Sequence, residues 1–229
     1  MITANVFQRT FFIKSGNSTG TAFSIDVDNR RYLVTASHVC ADGENTTEIQ
    51  IYHEATWKNL PVKVVGMGDP TRLDADIAVL AADTVIGAAH PLPASSEGLI
   101  WGQDVYFLGY PYGLHTLANV NGGFPLPLVK RALMSGSVGT EFEVFLLDGH
   151  NNPGFSGGPV VFKPSGSQQF SVMGVVSAYR TEEMPVTLNG QPTGLAGAAN
   201  TGIIIAPSIK RATDMIESNP IGPTIEVSG

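Results

Sequence analysis

Residues 152–159 read Asn152-Pro153-Gly154-Phe155-Ser156-Gly157-Gly158-Pro159, a serine set among glycines directly ahead of the apolar run Val160-Val161-Phe162. A nucleophilic serine needs such a setting. Its Oγ has to project into a cleft, and nearby backbone N–H groups have to be bare enough to reach an oxyanion. Glycine supplies both the unusual dihedrals and the missing side chain. A Gly-rich hairpin loop with an incidental serine fits the same letters equally well, so the rest of the chain has to decide.

The spacing Gly154-x-Ser156-x-Gly158 also fits the strand-to-helix turn of an α/β-hydrolase, in which the acid and then the histidine follow the serine along the chain. The five histidines are His38, His53, His90, His115 and His150, and none follows Ser156. The base must therefore precede the nucleophile. Thr35-Ala36-Ser37-His38 comes just after Tyr32-Leu33-Val34, and Asp76 immediately precedes Ile77-Ala78-Val79-Leu80. Both polar groups stand where a strand leaves the core, a natural place to line a cleft. His38, Asp76 and Ser156 fall in the chain order His, Asp, Ser of the chymotrypsin arrangement. Asp74 is a rival, on the same face if the strand extends back; Asp76 is preferred because it abuts the apolar run.

Around these residues the chain reads as β structure. Strand-like runs at 6–14, 21–27, 32–36, 48–53, 62–65, 77–81, 105–109, 128–134, 142–147, 159–162, 170–177 and 202–205 alternate with turn residues such as Asp28-Asn29 and Asp69-Pro70. That spacing suggests closed or packed β architecture rather than β/α units. One helix is expected after Pro207, capped by Ser208, carrying Ile209, Ala212 and Ile216 at helical spacing and stopped by Asn219-Pro220. Residues 83–98, small, polar and proline-containing, read as a linker between two β lobes, giving an N-terminal lobe over 1–90 and a C-terminal lobe over 91–229.

Composition narrows the function classes. Of the 229 residues, 43% are hydrophobic, enough for a core, and no apolar run reaches the ~18 residues of a membrane helix. A net charge of −7 argues against a broad phosphate-binding face, so neither nucleic acid nor membrane is expected as a partner. The single cysteine, Cys40, forbids an intramolecular disulfide. Together with a start that lacks a signal-like stretch, this favours a cytoplasmic location and leaves a periplasmic or secreted one open. His53, His90 and His115 show no ligand spacing, so no metal or other cofactor is expected. Cys40, two residues beyond His38, reads as a small buried residue rather than a second nucleophile.

The chain resembles the trypsin/chymotrypsin-fold serine proteases, and within them the disulfide-free bacterial HtrA-type peptidases without a PDZ segment. The likeness is carried by Gly20-Thr21-Ala22-Phe23, Thr35-Ala36-Ser37-His38, Asp76-Ile77-Ala78-Val79-Leu80, Gly109-Tyr110-Pro111-Tyr112-Gly113, the Asn152–Pro159 run, and Gly202-Ile203-Ile204-Ile205-Ala206-Pro207-Ser208 with its helix. The resemblance implies an all-β fold of two six-stranded antiparallel β-barrels with a C-terminal α-helix and the active site between the barrels. It implies that His38 acts as general base and Asp76 orients it toward Ser156, and that the N–H groups of Gly154 and Ser156 form the oxyanion hole. It places His150 at the floor of the specificity pocket and Ser177, Ala178, Tyr179 and Gly202 along its walls. Without an acid at that floor, Lys or Arg before the scissile bond is not the expected preference.

Phe155 departs from the digestive-enzyme pattern, in which an aspartate there pairs with a newly cut N-terminus, so its packing is expected to tether the loop. Residues 181–200, rich in Gly, Pro and Thr, read as a surface loop near the pocket. Two functions compete. The first is an endopeptidase acting on peptide or protein substrates through an acyl-enzyme on Ser156. The second is a catalytically silent homologue that binds peptides. The oligomeric state is not legible in the sequence.

Overall fold

The strand-like runs pair into two antiparallel sheets in the computed structural model, which describes residues 1–116, 121–139 and 142–225. The first six strands are β1 (Thr10–Ser15), β2 (Ser18–Val27), β3 (Arg30–Thr35), β4 (Glu48–His53), β5 (Thr56–Met67) and β6 (Ala78–Ala82). They close into a barrel in the order β1-β2-β3-β6-β5-β4. Asp28 and Asn29 both take positive φ and turn β2 into β3, as the turn chemistry demands. Phe11, Ile13, Leu33, Ile49, Ile51 and Leu80 fill the barrel interior.

The second sheet contains β7 (Asp104–Gly109), β8 (Leu128–Val138), β9 (Val144–Asp148), β10 (Pro159–Phe162), β11 (Ser171–Val175), β12 (Ala178–Leu188) and β13 (Gln191–Pro207), ordered β11-β10-β7-β8-β9-β13-β12. Its core is built on Val105, Phe107, Phe145, Leu147, Phe162 and Ile204. Seven strands stand where six were expected because residues 181–200 are not a loop. They form the outer part of the β12–β13 hairpin, turned by Asn189-Gly190, both in the left-handed region that this dipeptide favours. A second difference lies at the start. Residues 4–8 form helix α1 (Ala4–Gln8), which buries Val6, and the strand begins only at Thr10.

A third core cluster ties the two sheets together. Phe23, Ile25, Val34 and Val79 of the barrel meet Leu108, Val161, Val172 and Val175 of the second sheet, together with Ile209, Ala212 and Ile216. The last two are the buried stripe of helix α2 (Lys210–Ser218). The N-cap position is Ile209 and not Ser208, which stands one residue earlier and whose Oγ accepts the Lys210 N–H at 3.3 Å. Beyond α2 the chain returns to the barrel. Asn219 Nδ2 donates to the Val65 carbonyl (3.0 Å), Arg30 to that of Gly222 (2.6 Å), and the Arg31 N–H to that of Pro223 (3.0 Å).

The crossing between the sheets is held by charge. Arg9 is fully buried, and its guanidinium donates to Asp26 Oδ2 (2.6 Å) and to the carbonyls of His90 (2.7 Å) and Ala89 (3.2 Å). Arg31 donates to Asp26 Oδ1 (2.7 Å) and to the carbonyls of Ile86 and Gly87 (both 3.1 Å). Burial alone would raise the Asp26 carboxyl, but the two guanidiniums hold it below the usual range. Two predictions follow from this network. Arg9→Ala, which leaves the Asp26 carboxylate to Arg31 alone and takes a donor from the His90 and Ala89 carbonyls, is expected to lower the unfolding free energy by about 1.5–3 kcal/mol in a urea titration at pH 7. Because the folded Asp26 carboxyl sits below its unfolded value, its stabilisation is complete above about pH 4 and is lost as pH falls through the folded value. Stability measured from pH 7 to pH 3 should therefore fall less steeply in Asp26→Asn than in the parent.

Candidate active site

His38 sits in a single 3₁₀ turn, Ser37–Val39, that ends β3, and Asp76 lies two residues before β6. Pairing of β3 with β6 through Thr35–Ala78 brings these two strand ends side by side. Asp76 is buried. Its Oδ2 lies 2.7 Å from His38 Nδ1, and its Oδ1 accepts the His38 backbone N–H at 3.1 Å. A carboxylate only accepts, so Nδ1 carries a proton, and in the neutral ring Nε2 is the nitrogen with the lone pair. Ser177, between β11 and β12, donates its hydroxyl to Asp76 Oδ2 at 2.5 Å. Burial would raise the Asp76 carboxyl; the His38 and Ser177 hydrogen bonds and the His38 charge outweigh it and keep the group below the usual range. The rival Asp74 is held by Arg72 through two hydrogen bonds (3.1 and 2.8 Å), so only Asp76 is paired with His38.

Ser156 lines the same cleft as His38 and Asp76. Among the described residues no hydrogen bond joins Ser156 to His38; such contacts commonly tighten only when substrate binds. The loop that carries Ser156 is clamped from the barrel. Thr21 of β2 donates its N–H to the Ser156 carbonyl and its hydroxyl to the Gly154 carbonyl, both at 2.8 Å. The Pro153 carbonyl accepts the Tyr112 N–H at 2.9 Å. The carbonyls of Pro153, Gly154 and Ser156 are thereby turned toward partners on the flanks of the loop, and among the described residues neither the Gly154 nor the Ser156 N–H donates to protein. Gly154 is required here. Its φ is +103°, and a Cβ would lie 2.4 Å from the Tyr110 carbonyl oxygen.

Phe155 is fully buried in the second sheet's core, its ring edge-on to Phe107 with centroids 4.9 Å apart. Lys130 of β8 was not singled out in the sequence. Its ammonium donates to the His150 carbonyl and to Asn152 Oδ1 (3.1 Å) and stands 5.9 Å from the ring centres of Phe155 and Phe107. It braces the chain just ahead of Ser156. Its only sequence signal is an exposed-looking lysine on an apolar strand, which could not be told from a solvated charge.

Of the residues the resemblance assigns to the specificity pocket, Ser177, Ala178 and Tyr179 line the cleft. His150 and Gly202 do not. The His150 side chain is exposed on the outside while its carbonyl faces Lys130, and Gly202 is occupied with the Gly149 N–H, which its carbonyl accepts at 2.8 Å. Asn151, Asn152 and Pro153 also line the cleft, as do Pro70, Arg72 and Leu73. Asn151 is buried, its carbonyl accepting Asn200 Nδ2 at 2.9 Å. Among the described residues no cluster of three or more His, Cys, Asp or Glu is placed to hold a metal ion.

The arrangement has counterparts. The profile of the trypsin-like peptidase domain matches residues 20–168. An inactive form of the Rv3671c protease from M. tuberculosis H37Rv superposes with a TM-score of 0.58 at 21% identity, over 94% of this chain and 91% of that one. The serine endoprotease from Yersinia pestis gives 0.57 at 19% identity, over 93% and 63%. A variant of the HtrA-type protease AlgW with a tripeptide gives 0.58 at 19% identity, over 94% and 62%. This chain thus spans less than two thirds of the latter two, and at these identities the likeness is one of fold. No curated protein sequence matches the chain. With a profile that covers well over half of its length and a mostly β, chymotrypsin-like fold, the chain belongs to the trypsin-like peptidase family.

Proposed function

We propose that the protein is a serine endopeptidase that hydrolyses peptide bonds through an acyl-enzyme on Ser156. The observation that carries this reading is the buried Asp76 carboxylate, which faces His38 Nδ1 and shares one cleft with Ser156. The base and its orienting acid come from an N-terminal lobe over residues 1–90, the nucleophile from a C-terminal lobe over 91–229. His38 Nε2 takes the Ser156 proton as Oγ attacks the carbonyl carbon of the substrate. The N–H groups of Gly154 and Ser156 bind the tetrahedral oxyanion. His38, now an imidazolium held by Asp76, gives its proton to the leaving amine. Water, deprotonated by the same nitrogen, then releases the acyl group.

Among the described residues that line the cleft Asp76 is the one carboxylate, and it is committed to His38 and Ser177. A Lys or Arg side chain before the scissile bond would find no counter-ion, so uncharged residues are preferred there, against Asn151, Ala178 and Tyr179. Phe155 and Lys130 are positioning residues. The first anchors the oxyanion loop by packing, and the second by hydrogen bonds to the chain at His150 and Asn152.

A fluorophosphonate probe is expected to label Ser156, and Ser156→Ala to abolish both labelling and peptide hydrolysis; an unlabelled parent would leave only the silent peptide-binding reading. Asp76→Asn should lower kcat on the order of 10⁴-fold, the scale set by a wrongly oriented imidazole. Iodoacetamide should leave activity intact, because burial and the Asp76 charge push the Cys40 thiol up to about 12 and keep it neutral. Lys130→Met is expected to reduce kcat/KM by about ten- to a hundredfold through a loosened loop, with Lys130→Arg restoring most of it. Phe155→Ala should do the same and also lose about 3 kcal/mol of stability; parent-like kinetics in either variant would refute the positioning role.

A further inference from the structure

At the end of β5, where the chain leaves for Asp76, a surface cavity of about 550 Å³ opens against α2 and the connection from β8 to β9. It shares no lining residue with the cleft. Its walls are held in place. Gly66 lets α2 lie directly on β5, since a Cβ there would fall 2.8 Å from the Met215 Cβ, and Asn219 Nδ2 ties the end of the helix to the Val65 carbonyl (3.0 Å). Val65, Met67, Phe142 and Met215 give the cavity an apolar lining. Two charges of opposite sign stand in it. The Arg211 guanidinium lies 4.4 Å from the Phe142 ring centre, and its Nε is buried with no hydrogen bond. Among the described residues no carboxylate forms an ion pair with it. Asp214, in the same lining, is taken by Lys210 (2.6 and 2.8 Å), and Asp74, which feels the Arg211 charge, is taken by Arg72. Glu44, exposed on the 3₁₀ turn Gly43–Asn45, has no ion pair either among the described residues.

One cation, one anion and an apolar lining select the occupant. A guanidinium stacked on a ring is already ordered, so little freedom remains to be lost when its N–H groups meet a carboxylate. A bare anion would satisfy Arg211 alone, and a polypeptide in mid-chain has neither charged end to offer. The volume is in the range of small-molecule sites, roughly 300–1,000 Å³. We propose that this cavity binds a short peptide with free ends, its carboxylate on Arg211, its ammonium toward Glu44 and an apolar side chain against Met67 and Met215. Hydrolysis of peptide bonds releases such zwitterions; that source rests on the endopeptidase reading above, and the binding itself does not. Met67 links the site to the catalytic residues. It also lines a second cavity beside His38, together with Ser37 and Cys40, and the residue after it, Gly68, donates its N–H to the Ile77 carbonyl at 2.9 Å. A peptide held here is thus one side chain away from the surroundings of His38 and one hydrogen bond from the residue that follows Asp76.

The test uses the Ser156→Ala protein, so that the peptide stays intact, with its six methionines labelled at the ε-methyl carbon for NMR. Titration with the tripeptide alanyl-leucyl-alanine should shift the Met67 and Met215 signals in a saturable way and leave those of Met134 and Met184 in place. Adding Arg211→Gln should weaken the binding about tenfold, the scale of one charged hydrogen bond, and adding Glu44→Gln, at an exposed position, about threefold. The ends of the peptide repeat the test without touching the protein. Amidating the C-terminus should cost as much affinity as Arg211→Gln does, and should cost the Arg211→Gln protein nothing more. Acetylating the N-terminus should do likewise with Glu44→Gln. Equal affinity for the free, amidated and acetylated peptides overturns the proposal. So do methionine shifts reproduced by acetate at the same concentration, which would make Arg211 a simple anion site, and a titration that leaves Met67 and Met215 unmoved. None of these readouts needs turnover. Saturable binding that depends on both ends upholds the site even if a fluorophosphonate leaves the parent unlabelled, and its absence overturns the site even if the parent is an active peptidase.

Discussion

Thr21 is the residue on which the geometry of the site depends. Its N–H and hydroxyl donate to the carbonyls of Ser156 and Gly154, its own carbonyl accepts the Thr35 hydroxyl at 2.8 Å, and its Oγ1 also accepts the Tyr110 N–H at 3.3 Å. One residue on β2, through its backbone and its hydroxyl, thus reads the position of the nucleophile loop, of the strand leading to His38, and of the loop behind Gly154. A serine hydroxyl and an imidazole from different sheets can meet only if the sheets are fixed relative to each other to within a fraction of an ångström. Small glycine neighbours make the approach possible: a Cβ on Gly157 would fall 2.1 Å from the Thr21 carbonyl oxygen.

The second constraint is electrostatic. Two carboxylates are taken largely out of water, and each is matched by donors on several sides: Asp26 by Arg9 and Arg31, Asp76 by His38 and Ser177. The first pair fixes where the chain crosses from barrel to sheet, and the second fixes the tautomer of one ring. The Asp26 partners are local, Arg31 five residues away and Arg9 seventeen, whereas Asp76 draws His38 from 38 residues away and Ser177 from 101. The Asp76 cluster therefore holds only when the whole fold is in place, and it reports on it.

Much of this was legible in the sequence, for identifiable reasons. The barrel strands announce themselves because each is a short apolar or alternating run, and turn signals such as Asp28-Asn29 between β2 and β3 separate several of them. Helix α2 is legible because Ala212, Ile216 and Pro220 supply stripe and stop within one short window, while its start falls one residue later than Ser208 announces. What escaped depends on partners remote along the chain. Glu54-Ala55 takes the same positive-φ turn between β4 and β5 with no residue type to declare it. Lys130 looks like any strand lysine until the chain near Ser156 folds over it. His150 and Gly202 are not among the residues lining the cleft, which Asn151 joins, and a count of residues from Ser156 does not tell which way a side chain points. The hairpin at 181–200 was missed although Asn189-Gly190 marks its turn, since its flanks are too rich in Gly, Pro and Thr to read as strands.

The return of the chain after α2 has a thermodynamic corollary. The helix belongs by sequence to the second lobe, yet Ala212 and Ile216 share a core with Val65, Ile77 and Val79, and the segment past Asn219 is bonded to Arg30 and Arg31. Arg31 in turn grips Asp26. Melting either lobe would strip apolar surface and buried charge from the other at once. A half-folded species would carry the entropy of one disordered lobe and the exposed seam of the ordered one. The molecule is thus built to lose its structure in one calorimetric transition, and a protease whose halves cannot come apart separately presents no partly melted self as prey to its own cleft.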